Sequence, residues 1–265
     1  MRTNAYLVYG IIPSAQIQLD ARDIEGGHDF VLLRHHQIMA VASRVDVAMC
    51  DEEVMRQRSE DMRWLLPRVQ AYEQVIAHVF SQTTIIPFRF GTIFCNRNRL
   101  KEMLSDREAA WLVTLNRLAG GEEWGLKVFG DLEGRLTSRL AQKEASLRRE
   151  GIGPGRLHFL KKKLRQVALT EVEAELDHLA QTGLQTIADY GYEMRPGRVD
   201  SKTAHKDGKL LLTKLVFLVP KAGRSEFLSH IAEAQTSYAI SSLEITLNGP
   251  WAPYSFAQDD KRGDV

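Results

Sequence analysis

The segment that most constrains the fold is Gly249–Phe256, which holds two prolines and three aromatic residues in eight positions. It follows an alternating run, Leu243–Asn248, that is typical of a β-strand. Because Pro250 and Pro253 lack a backbone donor and fix φ, we expect the segment to leave the sheet and run extended. Its aromatic residues are Trp251, Tyr254 and Phe256. They would fill a core or present a docking surface, and none of them carries a common catalytic group, so the segment favours an interaction protein over an enzyme.

The composition is that of an ordinary globular protein. The 265 residues are 44% hydrophobic and 26% charged, enough for one large domain or two domains of usual size. A net charge of +1 gives no overall attraction to nucleic acid or to an anionic membrane. The longest apolar run, Leu210–Val219, contains Lys214 and is too short to span a bilayer. The N-terminus lacks the body of a signal peptide. We therefore expect a cytoplasmic protein without nucleic-acid or membrane partners.

The cysteines and histidines do not form a pattern that predicts a cofactor or a metal. Cys50 and Cys95 are far apart in the sequence and form no disulfide framework, so we expect two reduced thiols that pack as small apolar side chains. His35 and His36 are adjacent on a predicted strand and should point to opposite faces, which hinders binding of one metal by both. The other histidines are scattered, and no Cys/His pair has metal-ligand spacing.

The first part of the chain predicts an α+β unit. Its predicted elements are strands at Tyr6–Pro13, Phe30–Arg34 and Ile38–Val45, a helix at Glu52–Phe80, a strand at Ile85–Phe94 and a helix at Asn98–Leu118. The predicted helix at Glu52–Phe80 contains Pro67, which should kink it or split it into two. A hairpin turn is expected near His36-Gln37. In the strand at Ile85–Phe94, alternation should place Phe88 and Phe90 on one face and Arg89 on the other.

The second part predicts a ferredoxin-like arrangement. After a boundary near Gly120-Gly121, the predicted elements are a strand at Trp124–Phe129, helices at Leu132–Arg149 and Arg156–Gln181, strands at Leu184–Met194 and Lys209–Val219, a helix at Ser225–Gln235 and a strand at Ser242–Leu247. The predicted fold class is α+β with two domains: an N-terminal α+β domain at 1–120 and a ferredoxin-like domain at 121–257 with a long helical insertion. A polar tail follows at 258–265.

Candidate catalytic groups all have a simpler interpretation. Asp131 begins a predicted helix, where a carboxylate caps backbone amides, so its pairing with Glu133 as acid and base is not expected. Glu122 and Glu123 are adjacent and show no other sign of converging on a substrate. The glycines of Gly151–Gly155 follow a helix and flank Pro154, which indicates a turn between helices rather than a phosphate loop. We expect no catalytic residue.

Two charged features leave alternatives open. Lys161–Lys163 is the densest basic stretch, and it forms either a solvated helix face or a docking patch for an acidic partner. Arg89 lies between two phenylalanines on a predicted edge strand. It either pairs with a carboxylate of a partner or of the other domain, or it is an ordinary solvent-facing side chain.

Several motifs occur in the order in which they occur in one known family. They are Tyr6–Ile11, the helix from Asp61 to Tyr72-Glu73, Ile86–Thr92, Glu123–Val128, Gly155–Lys161 and the terminal Gly249–Phe256. Together they resemble the gas vesicle protein F/L family over nearly the whole chain. The sequence departs from the family pattern at Tyr72, where histidine is frequent, and at Ala252, where proline is usual.

The resemblance implies a non-enzymatic accessory protein of gas vesicle assembly, without a cofactor. Such proteins are thought to bind the small hydrophobic shell protein and other accessory proteins, so the implied location is cytoplasmic and gas vesicle-associated. The partner surface is expected in the proline-containing strand and the terminal segment. The residues expected to form it are Phe88, Arg89, Phe90, Trp251, Tyr254 and Phe256. Since ferredoxin-like domains host many functions, the alternative is a small-molecule-binding or enzymatic protein with a site in a cleft between the domains.

Overall fold

A computed structural model describes residues 5–188, 190–197, 205–206, 209–240 and 243–257. The chain divides into two compact units. Unit 1 comprises the described residues of Met1–Glu123 and Pro250–Val265, and unit 2 comprises those of Trp124–Gly249. The predicted domain bounds, which assigned the terminal segment to the second domain, stay a prediction, as does the polar tail, which lies outside the described residues.

The elements are mixed, and the predicted α+β class is confirmed. The strands are β1 Ala5–Pro13, β2 Phe30–His35, β3 Ile38–Val45, β4 Ile86–Pro87, β5 Ile93–Phe94, β6 Gly121–Gly130, β7 Glu193–Pro196, β8 His205–Lys206, β9 Lys209–Pro220 and β10 Leu243–Trp251. The helices are α1 Glu52–Glu60, α2 Met62–Gln82, α3 Arg97–Leu118, α4 Leu132–Arg149, α5 Pro154–Ala188, α6 Arg224–Ile240 and α7 Tyr254–Ala257. Short 3₁₀ helices occupy Val47–Cys50 and Lys221–Gly223. Within the described residues, no helix is both long enough and apolar enough to cross a bilayer.

Unit 1 is built on an antiparallel sheet in the order β2-β3-β1-β4, with β5 also paired to β1. The central strand β1 is buried along almost its whole length, because α2 and α3 pack against this sheet. Its register with β3 shifts between Val8 and Gly10, as at a β-bulge. The expected hairpin turn at His36-Gln37 is confirmed, and His36 adopts a positive φ of 41°.

Gly10 lies opposite Pro87, where β1 pairs with β4. A Cβ atom at this position would overlap the carbonyl oxygen of Ile86 and lie 2.9 Å from the Ile85 side chain. We therefore expect Gly10→Ala to lower the free energy of unfolding by about 1–3 kcal/mol, because a backbone neighbour must move. Chemical denaturation measures the loss. Gly125→Ala in β6 is the matched control, since its nearest neighbour would be Asn248 O at 3.9 Å. Equal stability of the two variants would contradict this account.

Two elements predicted for unit 1 differ from the observed ones. The helical run at Glu52–Phe80 is split at Asp61, whose side chain accepts a hydrogen bond from the Arg63 N–H and begins α2. Pro67 lies within α2. The predicted strand at Ile85–Phe94 is wrong as a single strand: only β4 and β5 pair with β1, and a turn at Phe90-Gly91 separates them.

Unit 2 carries a second sheet in the order β10-β6-β9-β7, with β8 paired to β9. The ferredoxin-like designation stays a prediction. The predicted strand at Leu184–Met194 is wrong in its first half, since α5 continues to Ala188. The expectation that Pro250 ends the last strand is also wrong, because β10 runs to Trp251. As β10 is an edge strand of this order, a proline there removes no ladder hydrogen bond from the sheet interior.

Helices α4 and α5 are held together by side-chain ion pairs along their length. Arg135 and Arg139 pair with Glu175, and Lys143 Nζ lies 2.8 Å from Glu171 Oε1. The predicted cap is confirmed, since Asp131 Oδ1 accepts from the Gly134 N–H at 2.9 Å at the start of α4. A turn that includes Gly151, with a φ of 87°, separates α4 from α5 as predicted, but it is shorter than expected, since Pro154 and Gly155 already belong to α5.

The cysteine prediction is wrong. Cys50 and Cys95 form a disulfide, with Cα atoms 5.7 Å apart. Cys50 ends the 3₁₀ helix at Val47–Cys50, and Cys95 directly follows β5. Both elements pack beside β1. The fold of unit 1 therefore brings together two cysteines that are distant in the sequence.

Candidate functional site

The candidate site is centred on two adjacent residues of α2, Tyr72 and Glu73. The Tyr72 side chain is fully buried and stacks on Tyr9, with ring centroids 4.9 Å apart. Its hydroxyl lies 3.0 Å from the carbonyl oxygens of both Val8 and Phe88, and it donates to one of them at a time. Burial raises the pKa of Tyr72 well above its ordinary value, so the hydroxyl keeps its proton. Tyr72 therefore links α2, β1 and the segment after β4.

The segment after β4 is tied to β1 on both sides of its turn. The Phe88 N–H donates to Tyr9 O, and the Val8 N–H donates to Thr92 O, both at 2.9 Å. The ring of Phe90 meets Tyr72 edge-on at 5.4 Å, whereas Phe88 lies 5.9 Å from Trp111 of α3. These two half-buried phenylalanines thus contact different neighbours, since the turn interrupts the predicted alternation. Arg89, between them, is exposed.

The terminal segment, defined here as Trp251–Ala257, docks on the same part of unit 1. The Tyr254 hydroxyl lies 3.1 Å from both carboxylate oxygens of Glu73 and donates to them. Burial, and then the nearby Glu73 charge, raise the pKa of Tyr254 far above its ordinary value. Phe256 is completely buried, and its carbonyl oxygen accepts from the Arg117 guanidinium of α3. The segment is thus held by both helices of unit 1 that carry the site.

Glu123 completes the anchoring. Its carboxylate accepts from the Ser255 N–H at 2.7 Å and from the Ser255 hydroxyl at 2.8 Å. Ser255 is in the first turn of α7, where backbone N–H groups lack helical partners and favour negative charge. Glu123 is only 8% exposed, so its position is fixed by the fold. This residue, considered above as half of an acid–base pair, holds the terminal segment in place.

Sequence analysis named six residues for a partner surface, and the structure places them differently. Phe88, Phe90 and Tyr254 are half-buried, and Phe256 is fully buried. Arg89 is exposed, and Trp251 keeps 55% of its surface exposed. All six belong to unit 1. Their role in binding stays a prediction, with Trp251 and Arg89 as the members that solvent reaches most readily.

The anchoring residues Tyr72, Glu73, Arg117 and Glu123 were not predicted as a set. Tyr72, Glu73 and Glu123 did occur in the motifs, but each motif was a local pattern and gave no contact partner. The structure joins five of those motifs in one hydrogen-bonded cluster: β1, the end of the α2 motif, the segment after β4, Glu123 of the Glu123–Val128 motif and the terminal segment.

A cleft elsewhere in unit 1 does not have the character of a catalytic site. It has a volume of about 690 Å³ and is lined by Ala15, Gln16, Ile17, Gln18, Leu32, Arg34, Met39 and Gln82. This lining contains no acidic side chain and no histidine. Burial raises the pKa of Tyr9 to about 12, but this residue lies in the core of unit 1 and not in the cleft. No convergence of perturbed groups therefore points to chemistry at the cleft.

The basic stretch of α5 lies beside an exposed aromatic side chain. Lys161–Lys163 are exposed, and Phe159 is 86% exposed. In unit 2, α5 therefore also exposes a large aromatic side chain, as the terminal segment does in unit 1 with Trp251.

Nearly the whole chain is similar to proteins of one known family. Residues 5–258 match the family model described as gas vesicle synthesis protein GvpL/GvpF. The chain is 30% identical to gas vesicle protein L of a Streptomyces species over 236 residues, which cover 88% of this chain and 84% of the relative. It is 24% identical to gas vesicle protein F of Haloferax mediterranei in an alignment that covers 99% of this chain and 100% of the relative.

Solved structures show the same fold. The crystal structure of GvpF from an Anabaena species matches with a TM-score of 0.70 at 17% identity, covering 97% of this chain and 99% of that one. GvpF from Microcystis aeruginosa matches with a TM-score of 0.61 over the same shares.

Proposed function

The chain belongs to the GvpL/GvpF family of gas vesicle synthesis proteins, and we propose that it is an assembly factor that binds the hydrophobic shell protein through the surface around Trp251. Other gas vesicle accessory proteins are further partners. The proposed site of action is the cytoplasm, at the growing vesicle. The family is one of gas vesicle proteins and not a known family of enzymes.

The physical need for such a factor follows from the shell protein itself. A protein that presents a water-excluding face aggregates when that face is exposed, because apolar patches associate. A factor that covers the face reversibly prevents this. An affinity near micromolar, about −8 kcal/mol, is strong enough to keep the shell protein covered and weak enough to allow release.

One observation supports the surface around Trp251 as the binding site: the Trp251 side chain is exposed, while the backbone that follows it is held in place. The two residues that follow it are buried, with Ala252 at 5% exposure, while Trp251 is 55% exposed. Behind them, Tyr254, Ser255 and Phe256 are held by Glu73, Glu123 and Arg117. A large aromatic side chain on an ordered backbone loses little conformational entropy on binding. Tryptophan is also among the residues that most often dominate binding energy at interfaces.

We expect Trp251→Ala to reduce capture of the shell protein at least about tenfold, since an aromatic hot spot contributes 2 kcal/mol or more. The two proteins are co-expressed, the factor is affinity-purified, and captured and soluble shell protein are quantified. Arg89→Ala is tested beside it, to learn whether the guanidinium pairs with a partner carboxylate. Melting curves accompany every variant, because a variant that unfolds gives no information on the surface.

Phe159→Ala is the matched control, because it removes an exposed aromatic side chain from the other unit. We expect this variant to capture the shell protein as well as the wild type does. If only Phe159→Ala lost capture, the binding surface would lie on α5, near its lysines, and not around Trp251. Absence of capture by folded wild-type protein would rule out direct shell binding, and the same assay would then be run with the other accessory proteins.

A further inference from the structure

Two histidines and a glutamate meet at the end of the β2–β3 hairpin. Glu108 of α3 places Oε2 3.0 Å from Nδ1 of His36 and 3.6 Å from Nε2 of His35. The three atoms all lie within 4.8 Å of one another, and the two imidazole rings are 4.3 Å apart. The expectation that His35 and His36 point to opposite faces is therefore wrong.

The hairpin turn is the reason for this convergence. His35 is the last residue of β2, and His36 is the first residue of the turn, with a φ of 41°. Glycine is the default residue at a positive φ, and histidine is one of the few others enriched there. Leaving the strand at this point ends the alternation that would separate the two rings. The Gln37 N–H also donates to Oε1 of Glu108 at 3.2 Å, which orients the carboxylate.

We propose that His35, His36 and Glu108 form a binding site for a divalent first-row transition metal, with Zn²⁺ as the ion that best suits the ligands. Imidazole nitrogens and a carboxylate oxygen bind Zn²⁺ at about 2.0–2.2 Å, which places neighbouring ligand atoms of a tetrahedron about 3.3–3.6 Å apart. The two separations from Glu108 Oε2, 3.0 and 3.6 Å, lie close to this range, and the two histidine nitrogens lie within 4.8 Å of each other. Three protein ligands leave the fourth position to water.

The surroundings of the site allow an ion to enter while keeping the ligands ordered. The side chains of His35 and Glu108 are 24% and 19% exposed, whereas His36 is 73% exposed. His36 can therefore adjust its ring to a bound ion, and the other two ligands are positioned by β2 and α3. The Gln37 N–H acts as the outer hydrogen bond that commonly fixes a ligating carboxylate.

The ligand set also predicts selectivity. Two nitrogen ligands favour zinc and its neighbours in the first row, whereas Mg²⁺ and Ca²⁺ require shells of oxygen. Because the ligands come from the hairpin and from α3, the ion would connect these two elements within unit 1. An ion that binds the folded chain and not the unfolded one raises the melting temperature. This inference is independent of shell-protein binding and concerns a different part of unit 1's sequence.

The test uses the full chain, purified without a histidine tag and freed of metal by a chelator. Zn²⁺ is titrated calorimetrically and, in parallel, in competition with a chromophoric chelator. We expect saturation at one ion per chain and a rise in melting temperature with Zn²⁺, and no such response to Mg²⁺ or Ca²⁺. His36→Ala and Glu108→Gln should each weaken Zn²⁺ binding at least about tenfold and reduce the rise in melting temperature at a given Zn²⁺ concentration.

His158→Ala is the matched control, because it removes an exposed histidine from α5 in unit 2. It should bind Zn²⁺ as the wild type does. His36 is largely exposed, so its replacement should leave the fold intact, and the melting curve without metal verifies this. The proposal is overturned if the wild type shows no saturable Zn²⁺ binding, or if His36→Ala and Glu108→Gln bind Zn²⁺ with unchanged affinity. It is also overturned if Glu108→Gln lowers the metal-free melting temperature while Zn²⁺ has no effect on either protein. The three groups would then only connect the hairpin to α3 through hydrogen bonds.

Discussion

Replacing Phe256 with alanine is expected to lower the free energy of unfolding by about 3–5 kcal/mol, the usual cost of emptying a buried aromatic site. The side chain has no exposed surface, and its own carbonyl oxygen accepts from Arg117. A cavity at this position would also loosen α7, whose first turn is held by Glu123. Chemical denaturation, followed by tryptophan fluorescence and by circular dichroism, measures the loss.

Trp251→Ala, five residues earlier in the same segment, is the control for this prediction. Since Trp251 is more than half exposed, its truncation should cost less than about 1 kcal/mol, as for most surface substitutions. A large loss in Trp251→Ala together with a small loss in Phe256→Ala would contradict the structure of the segment. The comparison also helps to interpret the binding assay. Loss of capture in Phe256→Ala would report unfolding and not the removal of a contact.

The sequence identified the terminal segment as important but did not assign its residues to buried and exposed roles. Two prolines and three aromatic side chains indicated an ordered, anchored segment. Which aromatic residue is buried depends on side chains far away in the chain, Glu73, Arg117 and Glu123. Periodicity describes one element at a time and contains no information on such contacts. For the same reason, the α+β class could be predicted, whereas the convergence of separate motifs on Tyr72 could not.

Errors in the sequence analysis occur mainly where a regular element ends. Alternation holds inside β2, but His36 lies in the turn, where positive φ redirects the side chain. Phe88 and Phe90, which were predicted to share one face, contact different neighbours, Trp111 and Tyr72, and the turn at Phe90-Gly91 interrupts the predicted strand. In both places the alternation rule was applied one to three residues beyond the end of the observed strand. His36 belongs to the proposed metal site, and Phe88 and Phe90 are among the residues predicted for the partner surface.

Reduction of the Cys50–Cys95 disulfide is expected to lower the free energy of unfolding by about 2–4 kcal/mol. The bond closes a loop of 45 residues that includes α1 and α2. For a loop of this length, the chain-entropy model gives about 4 kcal/mol at 25 °C, because the unfolded chain loses freedom when it is cross-linked. Denaturation midpoints of the wild type, measured with and without a reductant, give the difference.

The double variant Cys50→Ser/Cys95→Ser separates loss of the cross-link from other effects of the reductant. It should match the reduced wild type in stability and show no response to the reductant. A reduced wild type as stable as the oxidised protein would contradict the prediction. Within unit 1, β5 pairs with β1 through hydrogen bonds that do not depend on the sulfur atoms, so the two residues should remain neighbours when reduced. In a reducing compartment the fold therefore has to rely on the packing of β1 against α2 and α3, and the disulfide adds stability only where the thiols are oxidised.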